Sequence, residues 1–315
     1  MIASFGSLWQ EVLEEALAPW AEENGVEVRF TAGSSTDNVT RAIAARNNPD
    51  VDVVMGEEMT FTLGLQEGVF EKLDPTIVTN LDKVVPEAIM GDGHGVGIIM
   101  QNIGLFYYTE TFEEEGWAPP DSWMDLVDQK YCNRVGYMHP NVSFGYYALM
   151  MIGGGTPEDI PEGIERVVEY KDCVQTVDPS GAKHVERAQL GDFDIGVLAH
   201  QLVISLADRG APLAFVTPKE GAILQFTTLA VAKDAPNPEL AQRVVNELLS
   251  ERVQSILVEE FKASPVNPAV EVPEELIAAG APDPHNTSQY LPIHAPKLIP
   301  NRQEWTEQFM RAMAQ

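Results

Sequence analysis

The sequence is short of positive charge, of cysteine and of long apolar runs. Lysine and arginine number 20 against 48 acidic residues, a net charge of −28. A chain this acidic repels phosphate backbones, which argues against nucleic acid as a partner. The same field attracts cationic solutes and fits a secreted protein, although solubility alone also accounts for it. No run of eighteen apolar residues occurs, so no membrane-spanning helix is expected. The two cysteines, Cys132 and Cys173, have no metal-site spacing and form no Cys-x-x-Cys pair. They are either one disulfide or two thiols. A bridge closing so long a loop would stabilise by about 4 kcal/mol in the chain-entropy model, given an oxidising compartment.

Catalytic signatures are missing too. There is no G-x-x-x-x-G-K-[ST] loop, no G-x-S-x-G elbow and no H-E-x-x-H. The six histidines (His94, His139, His184, His200, His285 and His294) show no ligand spacing. The glycine-dense run 91–97 precedes a strand instead of joining a strand to a helix, so it reads as a turn. No leader segment is recognisable, because Met1–Phe5 runs straight into a strand pattern. A cytoplasmic protein and a mature secreted domain both agree with that. Asn38, Asn141 and Asn286 head glycosylation triplets of a kind that arises often by chance.

What is present is an alternation of strands and helices over 315 residues, enough for two domains. Strands are expected at 2–5, 26–30, 50–55, 135–138, 194–199 and 212–217. Helices are expected at 9–20, up to 45, 59–65, after Ser122, and at 143–152, 160–170, 182–190, 200–207, 239–250 and 302–313. The pattern predicts an α/β fold with largely parallel sheets. Two apolar runs differ from the rest. Val96–Tyr108 and the stretch within Val216–Asp234 read as buried strands that cross from one lobe to another. Two crossings imply two lobes and a cleft.

Several segments together resemble a known family. They are Asp52–Glu57 followed by Leu65–Leu73, Asp121–Leu126 with Tyr131, Gly191–Val197, and Pro218–Gly221 with Leu229–Val231. In order and spacing the chain resembles the extracellular solute-binding proteins of ABC importers, the group that includes polyamine, ferric-ion, thiamine, phosphonate and sugar-phosphate binders. The resemblance implies a two-lobe periplasmic-binding-protein fold of type II with two crossing hinge strands, closing on its ligand. Lobe one would hold residues 1–102 and 228–279, lobe two 103–227, and a C-terminal segment, 280–315, would pack on the lobes. It further implies a periplasmic, monomeric protein whose signal peptide is absent from this sequence. Its partners would be a small-molecule ligand and an inner-membrane ABC permease, with no cofactor, no resident metal and no catalysis. A periplasmic location favours a Cys132–Cys173 disulfide, within lobe two.

Departures from the family pattern narrow the ligand. Glu57 matches a ferric-ion ligand, but the tyrosine pair expected after Gly191–Val197 reads His200-Gln201 here. Tyr146-Tyr147 is a pair on a different element. The aromatic and acidic positions of polyamine binders read Gln225 and Thr227. Ligands in such lobes sit where strands end and helices begin. That rule selects Ser7, Ser34, Ser35, Thr36, Glu57 and Glu58 in lobe one. It selects Ser143, Tyr146, His200 and Gln201 in lobe two, with Asn102, Gln225 and Thr227 on the crossing strands. Helix capping accounts for the hydroxyls, and core packing for the aromatics, equally well. Glu220 is read as a turn anchor or a permease contact. No arginine is placed to clamp an anion, so a small polar organic solute, zwitterionic or amine-containing, fits this set best. The alternatives are a ferric-ion binder using Glu57 with Tyr146 or Tyr147, and an enzyme on the same scaffold. Neither cysteine falls at a cleft position, which counts against a thiol enzyme.

Overall fold

The computed structural model describes residues 1–293 and 295–314; His294 lies outside the described residues. The chain divides into two compact units. Unit 1 comprises Met1–Gln101, Gln225–Glu274 and Pro282–Thr287; unit 2 comprises Asn102–Leu224, Glu275–Ala281 and Ser288–Gln315. The C-terminal segment is therefore shared out between the units.

Unit 1 begins with β1 (Ile2–Ser4), α1 (Ser7–Asn24), β2 (Phe30–Ala32), α2 (Ser35–Ala44), β3 (Val53–Glu57), α3 (Glu58–Gln66), β4 (Phe70–Glu71) and β5 (Ile89–Met90). A long strand, β6 (Gly95–Tyr108), leaves the unit between Gln101 and Asn102. Unit 2 continues with α4 (Thr109–Glu114), β7 (Val135–Met138), α5 (Ser143–Gly153), α6 (Ile160–Glu169), β8 (Val174–Asp178), α7 (Gly181–Leu190), β9 (Ile195–Ala199), α8 (His200–Asp208) and β10 (Leu213–Val216). The return strand β11 (Ile223–Ala232) re-enters unit 1 between Leu224 and Gln225. Then follow α9 (Pro238–Leu248), α10 (Glu251–Phe261), β12 (Ser264–Pro265), α11 (Glu274–Ala278), β13 (Leu291–Pro292), α12 (Ala295–Leu298) and α13 (Arg302–Met313).

The strand order in unit 1 is β2-β1-β3-β11-β6, and in unit 2 it is β6-β9-β7-β8. The sheets are mixed, which corrects the expectation of largely parallel ones. β1 pairs in parallel with β2 and β3, and β7 with β8 and β9. The crossing strands supply antiparallel pairs, β11 against β3 and β6 against β9, while β11 also pairs in parallel with β13. All ten residues of β11 are buried. A strand covered on both faces shows no alternation, which is why it reads in the sequence as one apolar run.

Local chemistry sets the helix limits. α1 buries Val12, Leu13, Ala16 and Leu17 along one stripe and stops at Gly25, which takes φ 62°. The helix expected at 239–250 is α9, which ends at Leu248, and a further helix that was not expected starts just after Ser250. Ser250 caps this helix, α10, by accepting from Val253 N–H. The strand expected at 26–30 starts only at Phe30, and Trp123–Val127 is a 3-10 turn. β8 was not expected; its VQTVD run is short and half polar. In unit 2, α5 and α6 approach so closely that a Cβ on Gly163 would stand 1.8 Å from the Leu149 carbonyl oxygen. Cys132 and Cys173 are bonded to each other, joining the chain just ahead of β7 to the turn just ahead of β8. Asn38 is buried, and its amide bonds the Ser4 and Met55 carbonyls at 3.0 and 3.2 Å, so it is no glycan acceptor in the folded chain.

Candidate functional site

Three parallel strands of unit 1 end beside one another, and their ends carry most of the unit's candidates. Ser34 caps α2 in a reciprocal box with Asp37, and its bonds hold the Asp37 carboxyl below its ordinary range. The Ser35 hydroxyl accepts from Glu57 N–H at 2.8 Å and bonds the Thr60 hydroxyl. Ser34 therefore has the structural duty that capping predicts, and Ser35 ties α2 to the end of β3. Ser7 and Thr36 are exposed on the first turns of α1 and α2. Glu57 closes β3 and Glu58 opens α3.

The start of β11 within unit 1 extends past the end of β3. Thr227 stands opposite Glu57 in the antiparallel register, and its hydroxyl accepts from Gln101 Nε2 at 2.9 Å. Gln225 lies two residues further out on the same face of the strand. It is 0% exposed, yet neither its Oε1 nor its Nε2 has a hydrogen-bond partner. An unpaired buried polar group costs about 1–3 kcal/mol, so an amide with both ends unpaired is an expensive core residue. Phe226 N–H, beside it, points to Glu58 Oε2 at 3.4 Å. Burial, with a smaller push from the Glu57 charge, raises the Glu58 carboxyl to about 8 against the Phe226 hydrogen bond. The grouping offers two acids, two amides and hydroxyls, with no cation among them.

In unit 2 the candidates fall at the carboxyl ends of β9 and β7. Asn102 enters the unit next to the Ile103–Ala199 pair, and its backbone N–H donates to His200 Nδ1 at 3.1 Å. Its side-chain Nδ2 donates to the Gly280 carbonyl at 2.9 Å and to Thr217 Oγ1 at 3.2 Å. A carbonyl only accepts, so the amide orientation is fixed and Oδ1 is left as a buried acceptor without a partner. Gln201 Oε1 is a second such acceptor. Gly280 takes φ 103°, and a Cβ there would meet Phe215 at 2.2 Å, so only glycine brings this carbonyl to Asn102.

Ser143 opens α5. Tyr146 is 1% exposed, with Trp305 at 6.0 Å between ring centroids and the Arg302 guanidinium 5.8 Å from its ring. Burial raises its phenol against the opposing Arg302 charge. Tyr147 is equally buried. Arg302 also donates to the Asn141 carbonyl just ahead of α5. It thereby reaches a helix start of unit 2 from the C-terminal tail, 161 residues away in sequence. Arg302 and Gln101 are the residues that sequence reasoning missed. Glu220 anchors its turn, accepting from Ser122 Oγ at 2.5 Å and Trp123 N–H at 3.3 Å. Among the described residues no three His, Cys, Asp or Glu side chains converge as a metal site would need, and no helix is long and apolar enough to cross a membrane.

Comparison with known proteins identifies the family. The family model of the bacterial extracellular solute-binding proteins matches residues 15–288. The spermidine/putrescine-binding periplasmic protein 1 of Haemophilus influenzae is 22% identical over 255 residues, covering 78% of this chain and 69% of that protein. A Salmonella typhimurium periplasmic protein provisionally named for 2-aminoethylphosphonate binding is 23% identical over 274 residues, covering 85% and 77%. The crystal structure of an ABC transporter protein from Clostridium perfringens superposes with a TM-score of 0.83 at 20% identity, covering 99% of both chains. That of MotA from A. tumefaciens, in complex with glucopine, superposes at 0.79 with 22% identity, covering 99% and 98%. The fold is thus the α/β fold of periplasmic binding proteins, carried by a family of extracellular or periplasmic substrate-binding components of ABC transporters. The chain belongs to the bacterial extracellular solute-binding protein family.

Proposed function

We propose that this protein captures a small polar organic solute, amine-containing or zwitterionic, in the periplasm and delivers it as a monomer to an inner-membrane ABC permease. The observation that carries the reading is Gln225, a fully buried strand amide with neither end hydrogen-bonded. It stands beside Thr227 and Gln101, near the two carboxyl groups at the end of β3. Such a group makes sense where a ligand completes it, because a closed core would select an apolar residue there. The surrounding set accepts more hydrogen bonds than it donates, which favours N–H and O–H groups on the ligand. Two relatives are named for amine-bearing solutes, and one structure of the same fold holds glucopine. Those names support a class of ligand and no particular member of it.

A thermal-shift screen tests this. Amines, amino acids, aminophosphonates, sugar phosphates and ferric ion are added at millimolar concentration to the whole chain. A ligand that binds only the folded state raises the melting temperature by mass action. The expected result is a shift with at least one amine-bearing or zwitterionic compound. A shift with ferric ion alone, or with sugar phosphates alone, would contradict the reading.

A further inference from the structure

Unit 2 contains a second place where polar atoms are buried and unpaired, and its pattern is more specific. Asn102, 1% exposed, keeps a buried acceptor, Oδ1, whose identity as an oxygen is fixed by the Gly280 carbonyl bonded to the other end of the amide. Its backbone bond to His200 Nδ1 places it against the first residue of α8. One residue on, Gln201 Oε1 is a second buried acceptor without a partner. The helix start supplies the opposite polarity. α8 runs for nine residues from His200, its N-cap is Ala199, and no side chain caps it. The leading N–H groups of a helix point outward and favour negative charge. One neutral acceptor thus belongs to the first turn of an uncapped helix and the other to the strand residue bonded to that helix's first side chain.

We propose that Asn102 and the first turn of α8 form a subsite for a zwitterionic head group of the α-amino-acid type. The ligand's ammonium would bond Asn102 Oδ1 and Gln201 Oε1, and its carboxylate the leading N–H groups of α8. The proposal rests on the capture function above and names the class of ligand. A site built from neutral amides and backbone suits a head group that carries no net charge. Asn102 is a positioned element of this subsite: Thr217 and Gly280 lock its side chain, and Phe215 forces residue 280 to be glycine.

Calorimetric titration of the whole chain separates the outcomes. The probes are L-α-amino acids, each beside its N-acetyl and its decarboxylated form, with putrescine and fructose 6-phosphate as controls. The expected result is binding of at least one α-amino acid, weakened about tenfold or more by acetylating the amine or removing the carboxylate. Gln201→Met, which keeps the side chain's shape and removes its acceptor, is expected to weaken that binding about tenfold. Gln201→Glu keeps an acceptor and is expected to retain it, with both melting temperatures unchanged. An amino acid that binds equally well when acetylated or decarboxylated would overturn the subsite. So would Gln201→Met binding as the parent does. If putrescine binds and no α-amino acid does, capture stands and the subsite falls; if fructose 6-phosphate alone binds, both readings fail. If nothing binds, both readings fail.

Discussion

Glu58 makes a claim that can be checked by pH alone. Part of the residue touches solvent, but its carboxyl is enclosed, and burial raises it from 4.5 to about 8. The folded state therefore holds a proton between those values that the unfolded state has released. Stability falls as pH rises wherever the native state binds more protons. Denaturant unfolding from pH 5 to pH 8 is expected to lose roughly 2 kcal/mol through this group, allowing for solvent screening. Glu58→Gln should remove that part of the slope. A Glu58→Gln slope equal to the parent's would show that the carboxyl ionises normally. Other polar groups are structural. His184 and Asp178 are buried together, with Nδ1 and Oδ2 2.7 Å apart. Burial lowers the His184 imidazole against its Asp178 bond. Much of this was legible beforehand. Asn102, Gln225 and Thr227 interrupt apolar runs, and a polar residue in a buried strand has to be satisfied by something. Gln101 carries the same signal and was overlooked. Arg302 gave none, because a tail helix shows no sign of where in the fold it will pack.

At the scale of elements, periodicity located most helices and strands to within a residue or two. It failed where a cap or a pairing partner decides the outcome. Ser250 caps α10, a helix that was not expected, and β8 is a strand because β7 lies beside it. The mixed sheet was hidden for the same reason: strand direction depends on how the chain returns, and a run such as ILQFTTLAVA is apolar either way. The contact between α5 and α6 carries its own test. Gly163 faces the Leu149 carbonyl with no room for a methyl group, so Gly163→Ala has to push two helices apart. A cost of about 2–3 kcal/mol is expected, from the range for overpacked cores. Chemical denaturation would measure it; an unchanged midpoint would mean that the helices are further apart than described.

At the scale of the whole molecule, the chain passes from one unit to the other at 101/102 and 224/225, inside strands β6 and β11. The exact points were illegible because both fall inside unbroken strands. Gln225 and Thr227 consequently sit with unit 1. The disulfide closes a loop of sequence separation 41 inside unit 2, which corresponds to about 4 kcal/mol. Reducing it is expected to lower the melting temperature by roughly 10 °C. A reduced protein melting where the oxidised one does would remove the bridge from the account.

Solute capture predicts a trade between function and stability at Gln225. Gln225→Met keeps the side chain's length and removes both unpaired polar atoms, so the ligand-free protein should melt at the same temperature or higher. The same change should abolish the melting shift produced by whichever solute the parent protein binds. The decisive measurement is that pair of melting curves, with and without solute, for parent and variant. The account predicts a variant at least as stable and blind to the solute. A variant that is less stable yet binds as before would contradict it, for Gln225 would then be part of the core and no part of the site.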